Sequence, residues 1–412
     1  MMKKIFVLAA AAVFVLGMTA PSWAVAEFAI GGSVRLDAGW QFSDLGDSQG
    51  FTAGRANEDS QTQFFLVNPG NGRINFKATV GDVTGFMEFA MGSTGVSTRH
   101  IYASWDMGGG SSLLFGHTWS VMAFGFTDMR LADDLASIGY GCLYFGRVPQ
   151  LRYTYAADTW NLKVALENFT VPSASSLGIQ DYEIDPLTGQ VTTTIVTPNF
   201  VSETYIPALT AAVGITASEM FPVTVSGYYQ QWDLKGIKPG TKDVGASVYA
   251  AAIDGRVNLD FMKIVYEGWW GNNLGLRANS FDGRPNATTV FGAPGVTVAG
   301  NDLNDCRSWG GFIELSFPFE TVALNLGGGY QTASVEQKPS AKLGTDTVRY
   351  ESDLSTYGFF INVLYNLTDN FYIQPEITYL DHGSDANKDA FGTGKNDLGS
   401  DIYAGIHFQA DF

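Results

Sequence analysis

Charged side chains of opposite sign are the strongest candidates for chemistry in this sequence. Basic residues recur at positions of strand-like runs that share one face, which we take as the inward face. These are Arg35, Arg73, Lys77, Arg152 and Lys163. A long segment after the fifth run carries Arg130, Asp133 and Asp134. A basic wall opposite an acidic loop creates a transverse field, and guanidinium groups bind carboxylates in two-point geometry. The arrangement favours charge selection of small solutes.

Candidates for a catalytic site are few. The sequence has four histidines, and no G-x-S-x-G motif occurs. The four are His100, His117, His382 and His407. His117 and Ser120 are close in sequence, but residues three apart in a strand point to opposite faces. We therefore predict that the protein is not an enzyme and uses no cofactor and no metal.

Strict alternation of apolar and polar residues predicts the elements that position these charges, since this period is that of β-strands. In the first run Val34 and Leu36 fall on one face, and Arg35 and Asp37 on the other. The predicted runs are 27–42, 71–81, 84–92, 98–106, 112–120, 148–157, 158–168, 204–217, 222–233, 243–253, 255–269, 307–319, 320–332, 353–366, 371–381 and 400–412. The connections between these sixteen runs alternate short and long. Turns on one side and long loops on the other are typical of transmembrane β-barrels.

Composition supports a membrane barrel over a soluble sandwich. Charged residues make up 16% of the chain, against about 25% in soluble domains, and aromatic residues make up 14%. Several aromatics stand near strand ends, as in an interfacial girdle. They are Trp40, Phe42, Trp105, Trp119, Trp160, Trp269, Trp270, Trp309 and Tyr379. The predicted fold is an all-β, transmembrane antiparallel barrel of about sixteen strands, with long outer loops. Its last strand, which ends at Phe412, resembles the signal read by the outer-membrane insertion machinery.

The chain divides into a short N-terminal signal peptide and one long domain. Residues 1–26 have Lys3 and Lys4, then an apolar run, then Ala24-Val25-Ala26, which is the plan of a cleaved signal peptide. Residues 27–412 form the barrel domain, without a preceding plug. The expected location is therefore the outer membrane of a Gram-negative cell.

Segment 120–147 is long yet rich in apolar residues, among them Met122, Phe126 and Leu131. A loop in water does not need such residues, whereas a loop folded into the lumen does. It is the third outer loop by count. We predict that it folds inward and forms the constriction.

The segments GHTWS at 116–120 and RVPQLRYTY at 147–155 resemble the DcaP-like porins, a family of trimeric outer-membrane channels for dicarboxylate-type anions. The resemblance implies a homotrimer and a basic constriction that favours organic diacids. Arg147 and Arg152 match the motif, and His117 stands where an amide side chain is expected. Outside 116–155 the similarity is only that of the shared barrel pattern.

The total charge limits the partners. The formal net charge is −17, and loss of Lys3 and Lys4 with the signal makes it two units more negative. Nucleic acid is therefore not an expected partner. Many acids fall in the predicted outer loops, such as Asp44, Asp181 and Asp302, where divalent cations can bridge them to lipopolysaccharide.

The sequence thus predicts a passive diffusion channel that favours small organic anions such as dicarboxylates. Two alternatives stay open: a cation-preferring or non-selective porin, and an adhesin or structural barrel with a blocked lumen. The two cysteines, Cys142 and Cys306, are either a disulfide formed in the oxidising periplasm or two unrelated thiols.

The cleavage site can be tested directly. Because Ala24-Val25-Ala26 has small residues at the two positions that the peptidase reads, the mature chain should begin at Glu27. N-terminal sequencing of the protein from the outer membrane measures this. A chain that begins at Val25 would place cleavage after Ala24, and one that begins at Met1 would contradict the signal peptide.

Overall fold

The computed structural model describes most of the chain from Glu27 to Phe412. The described ranges are 27–44, 60–67, 72–92, 95–122, 125–131, 136–168, 180–184, 191–195, 201–204, 206–235, 244–274, 296–299, 302–337, 342–343, 346–347, 350–385, 396–397 and 399–412. The structural statements below concern these residues. Among them no helix combines the length and apolar character needed to cross a bilayer.

Sixteen antiparallel strands form one closed barrel, which confirms the predicted fold class. They are β1 (Glu27–Asp44), β2 (Ser60–Val67 and Gly72–Val80), β3 (Val83–Gly92), β4 (Gly95–Gly108), β5 (Ser111–Trp119), β6 (Arg147–Ala156), β7 (Trp160–Glu167), β8 (Ala208–Ile215), β9 (Val223–Lys235), β10 (Val244–Asn258), β11 (Lys263–Asn272), β12 (Asp302–Pro318), β13 (Val322–Gln337), β14 (Tyr350–Thr368), β15 (Phe371–Asp381) and β16 (Ser400–Asp411). Each strand pairs with its neighbours in the chain, and β1 closes the barrel on β16, where Val34 pairs with Ala410.

Short strand segments lie in or beside the long connections. Val201–Glu203 pairs with the end of β9, and Val296–Ala299 pairs with the start of β12. Three small hairpins stand apart from the barrel sheet. Their strands are Gln180–Ile184 with Val191–Ile195, Lys342–Leu343 with Asp346–Thr347, and Ser384–Asp385 with Asn396–Asp397.

The two faces of the wall follow the alternation. On β1, Val34 is 56% exposed while Arg35 and Asp37 are buried. On β14, Ile361 is 48% exposed and its neighbour Asn362 is buried. Large apolar side chains outside and polar side chains inside are the pattern of a barrel in lipid, whose interior is polar.

Most strand boundaries shift by a few residues from those predicted, and two differences change which residues pair. Residues 60–67 belong to the predicted loop 43–70, but they pair with Asp37–Asp44 and extend β2. The predicted runs 243–253 and 255–269 imply a turn at Asp254-Gly255, but both residues lie within β10, opposite Glu267 and Tyr266 of β11. The chain turns instead between Leu259 and Met262. A glycine after an aspartate is a common turn pair, but here continued cross-strand pairing overrides that local preference.

Two aromatics of the predicted girdle are not part of it. Trp40, Trp270 and Trp309 are exposed on the outer face, as predicted. Trp269 is buried, and Trp119 contacts residues of the loop described below. Both sit at strand ends, so their position in the sequence does not separate them from girdle residues.

Replacement of Ile361 by Arg should destabilise the barrel. The side chain is outward on β14, and arginine near the bilayer midplane costs about 2–4 kcal/mol. Denaturant unfolding in lipid vesicles measures the loss, and Ile361→Val is the matched control with little change in exposed polarity. Equal stability of the two variants would contradict the assignment of this face to lipid.

Candidate functional site

The third outer connection runs from residue 120 to residue 146, and we call it the inner loop; its described parts, 120–122, 125–131 and 136–146, fold into the barrel. It leaves β5 at Trp119 and joins β6 at Arg147. Its exposure alternates between 126 and 131: Phe126, Asp128 and Arg130 are partly exposed, while Thr127 and Met129 are buried. One edge of the loop therefore packs against the wall, and the other faces the lumen.

Buried glutamates on four strands hold the inner loop by its backbone amides. Glu167 accepts from Val121 N at 2.8 Å and from the Ser120 hydroxyl at 2.9 Å. Glu267 accepts from Leu143 N at 2.6 Å. All four carboxylates belong to residues that are at most 8% exposed.

The other two glutamates hold the part of the loop around Asp128. Glu314 accepts from Asp128 N at 2.7 Å. Glu376 accepts from Arg130 N at 2.8 Å and from Leu131 N at 2.9 Å. When a loop is buried inside the barrel, its backbone amides lose their hydrogen bonds to water and need other acceptors. Carboxylates are strong hydrogen-bond acceptors.

Wall donors satisfy the carbonyl groups of the same loop. Trp269 Nε1 donates to Gly141 O at 2.7 Å, and Thr356 Oγ1 donates to Gly139 O at 2.6 Å. Asn362 and Gln374 both donate to Asp128 O. The loop is thus hydrogen-bonded to the wall through both kinds of backbone group.

Glycines let the loop approach the wall closely. A Cβ on Gly329 of β13 would lie 2.2 Å from Tyr140 O, and one on Gly141 would lie 2.3 Å from Gly311 O. Gly141 also has φ +119°, a conformation that other residues rarely adopt. Side chains at these positions would push the loop into the lumen.

A histidine connects the loop to the wall near the end of β15. The Tyr140 hydroxyl lies 2.7 Å from His382 Nδ1, and His382 Nε2 lies 2.9 Å from Asp401 Oδ2. His407 likewise lies 2.6 Å from Asp37, both fully buried. Both histidines therefore have hydrogen-bond partners that orient their rings.

Opposite the glutamates of β11, β12 and β15, three arginines form the first basic group: Arg73, Arg99 and Arg147. Arg99 Nε lies 2.9 Å from Glu88, and Arg73 Nε lies 3.9 Å from the same carboxylate. Arg147 donates to His100 Nε2 at 3.1 Å. Because that nitrogen accepts, we assign the proton of His100 to Nδ1, which donates to the Thr118 hydroxyl at 2.8 Å.

The sequence did not indicate Arg99 as a lumen residue, because a β-bulge changes the parity of β4. Glu88 pairs with His100 and Phe89 pairs with Thr98, so Arg99 is an extra residue between them. By alternation alone Arg99 and His100 point to opposite faces. The bulge lets both contact Glu88.

Arg152, Lys163 and Arg256 form the second basic group, on β6, β7 and β10. Lys163 lies close enough to Arg152 and Asp254 to interact with both, and Asp254 interacts with Arg256. Arg256 was missed because the predicted turn at Asp254-Gly255 ended the strand before it.

The remaining predicted site residues have varied positions. Arg35 is buried on β1, and Lys77 is exposed on β2. Arg130 Nη2 lies 3.0 Å from Asp128 Oδ1 on the inner loop. Asp133 and Asp134 lie outside the described residues. His117 pairs with Ile101 and Pro149, two exposed residues of the outer face.

The structure has no disulfide between the two cysteines. Both Cys142 and Cys306 are buried thiols. Cys142 Sγ donates to Gly125 O at 2.8 Å within the inner loop, and Cys306 lies on β12 against Ala333. In the described part of the chain no group of His, Cys, Asp and Glu could hold a metal ion.

Comparison with known proteins identifies the fold. No family model and no curated protein sequence matches the chain. Among solved structures, the outer-membrane channel DcaP of Acinetobacter baumannii matches with a TM-score of 0.60 and 18% identity, over 95% of this chain and 99% of the channel. The anion-selective porin from Comamonas acidovorans matches with a TM-score of 0.52 and 10% identity, over 94% and 100%. OmpT of Vibrio cholerae matches with a TM-score of 0.51 and 14% identity, over 95% and 99%.

These similarities show that the chain has the fold of outer-membrane porins, the DcaP channel among them.

Glu376→Ala should loosen the inner loop. The change removes the acceptor of two loop amides, those of Arg130 and Leu131. An unmade buried hydrogen bond costs about 1–3 kcal/mol, so exchange of these amides should be roughly tenfold faster or more. Hydrogen–deuterium exchange measures this, with Glu320→Ala at an exposed turn as the control. Unchanged exchange at both amides would mean that Glu376 does not hold the loop.

Proposed function

We propose that the protein is a passive diffusion channel of the outer membrane that favours small organic anions, dicarboxylates in particular. The observation that carries the proposal is the pair of basic groups on the lumen side of β2, β4, β6, β7 and β10. A solute that passes the inner loop meets guanidinium and ammonium groups on this wall. No cofactor, metal or energy source takes part, because transport follows the solute gradient.

The distribution of carboxylates supports anion preference despite the acidic total. Glu167, Glu267, Glu314 and Glu376 accept hydrogen bonds from loop amides, which partly neutralise their charge. They are buried between the loop and the wall rather than displayed to the lumen. In the first basic group, Arg73 and Arg99 share the one carboxylate of Glu88, and Arg147 adds a third positive charge.

Two basic groups suit a solute with two carboxylates. Arg147 belongs to the first group and Arg152 to the second. Both residues lie on β6, so the strand connects the two groups. A diacid can leave one group while its other end meets the next. Release stays easy because each pairing is formed in a water-filled lumen, where Coulomb attraction is weak.

The assembly follows from the resemblance alone. We propose a homotrimer in contact with lipopolysaccharide, inserted through the strand that ends at Phe412. The acidic outer loops then bind divalent cations at the cell surface.

Single-channel current in a planar bilayer under a salt gradient tests the function. Stepwise conductance with a reversal potential that favours anions supports the proposal, and succinate should carry current in place of chloride. Cation preference would leave a porin without the diacid role. A folded barrel that gives no conductance would favour the adhesin or structural alternative.

Arg152→Ala should shift selectivity toward cations. Loss of one guanidinium removes about 1 kcal/mol of attraction for an anion in a wet lumen, which is on the order of fivefold in the anion-to-cation permeability ratio. Arg307→Ala is the matched control, because Arg307 is exposed on β12 beside the outer girdle residue Trp309. Arg152→Lys, which keeps the charge, should retain most of the preference. An equal effect of Arg152→Ala and Arg307→Ala would argue against a role of the wall.

A further inference from the structure

Aromatic rings line the lumen where the inner loop meets the wall, although porin interiors are expected to be polar. We call this set the aromatic ribbon. It comprises Phe86 on β3, Tyr102 on β4, Trp119 on β5, and Phe126 and Tyr144 on the inner loop. Girdle formation does not explain these rings, because they lie among lumen residues and not on the lipid face.

The ribbon is continuous. Trp119 lies 5.4 Å from Phe126 and 5.8 Å from Tyr144 between ring centroids. His100 lies 5.7 Å from Trp119 and 6.0 Å from Phe86. Phe86 in turn lies 5.5 Å from Tyr102. These separations are typical of interacting rings, so the five rings and His100 form one surface from the loop to the wall.

Cations stand along the ribbon. The Arg147 guanidinium lies over the Trp119 ring, with Cζ 3.6 Å from the ring centroid. Arg147 also lies 3.5 Å from the Tyr144 hydroxyl. At the other end, Arg152 of the second basic group lies near Tyr102. A guanidinium group therefore stands near each end of the ribbon.

The rings of the ribbon keep part of their surface open. Trp119, Phe126 and Tyr144 are each partly exposed, although Thr127 and Phe145 beside them in sequence are buried. Phe145, by contrast, has a structural role only: its ring centroid lies 4.9 Å from that of Tyr228, and both residues are buried. The exposed part of the ribbon is available to a solute.

We propose that the aromatic ribbon is a subsite for monocyclic aromatic carboxylates, with benzoate as the simplest member. The inference rests on the proposed anion channel and adds aromatic carboxylates to the solutes that it favours. The ring of the solute stacks on Phe126 or Tyr144, while its carboxylate pairs with Arg147 or Arg99. The two contacts reinforce one another only when ring and carboxylate are directly joined.

Block of chloride current tests the subsite. Benzoate and cyclohexanecarboxylate have the same charge and nearly the same size, and only benzoate is aromatic. In the wild-type channel we expect benzoate to reduce chloride current at about threefold to tenfold lower concentration than cyclohexanecarboxylate. Equal half-blocking concentrations of the two anions would overturn the proposal.

Two leucine variants locate the effect. Phe126→Leu and Tyr144→Leu keep apolar packing but remove an aromatic ring. Each should therefore raise the half-blocking concentration of benzoate toward that of cyclohexanecarboxylate. Phe115→Leu is the control, because Phe115 is 55% exposed on the outer face of β5. If a variant does not fold, the other still tests the site. A benzoate preference that survives in both variants would also overturn the assignment.

Selectivity in potassium chloride, measured on the same channels, separates the two proposals. Anion preference without a preference for benzoate over cyclohexanecarboxylate would contradict the proposed subsite but would agree with the proposed anion channel. Cation preference in the wild-type channel overturns the anion channel itself and, with it, the subsite.

Discussion

The structure depends on one constraint: a loop folded into the barrel must find partners for its backbone groups. Glu167, Glu267, Glu314 and Glu376 meet this demand from four different strands. Each carboxylate accepts from one or two amides, and removing one would leave those amides buried and unsatisfied. The glycines of β12 and β13 then let the loop lie against the wall. The position of the loop follows from these contacts.

The same constraint resolves the apparent conflict between an acidic chain and a basic lumen. The formal net charge is −17, yet the four wall glutamates face the loop and not the passing solute. The basic groups lie on β2, β4, β6, β7 and β10, whereas three of the four glutamates lie on β11, β12 and β15. Local electrostatics in a pore depends on which charges are displayed, not on their sum. In the proposed channel, the loop therefore narrows the path and withdraws these four carboxylates from it.

The sequence predicted much of this architecture and failed at particular residues. Strand number, faces and the inward third loop follow from alternation and apolar content, and the structure confirms them. Arg99 was missed because a bulge shifts parity, and Arg256 because Asp254-Gly255 resembles a turn. Trp119 and Trp269 stand at strand ends like girdle residues, yet they contact the inner loop. The sequence did not indicate the role of the wall glutamates, because an inward-facing acid that binds a loop has the same alternation as any other lumen residue.

The reason is the range of the interactions. Alternation is a local property, because neighbouring side chains in a strand point to opposite faces whatever the partner strand is. The sequence alone therefore determined the barrel, the lipid-facing side of each strand and the loop that enters the lumen. The hydrogen bonds that hold the loop join residues far apart, such as Asp128 with Glu314 and Arg130 with Glu376. Only closure of the barrel brings these residues together, so the tertiary structure alone decided how the loop is held and which charges and rings face the solute.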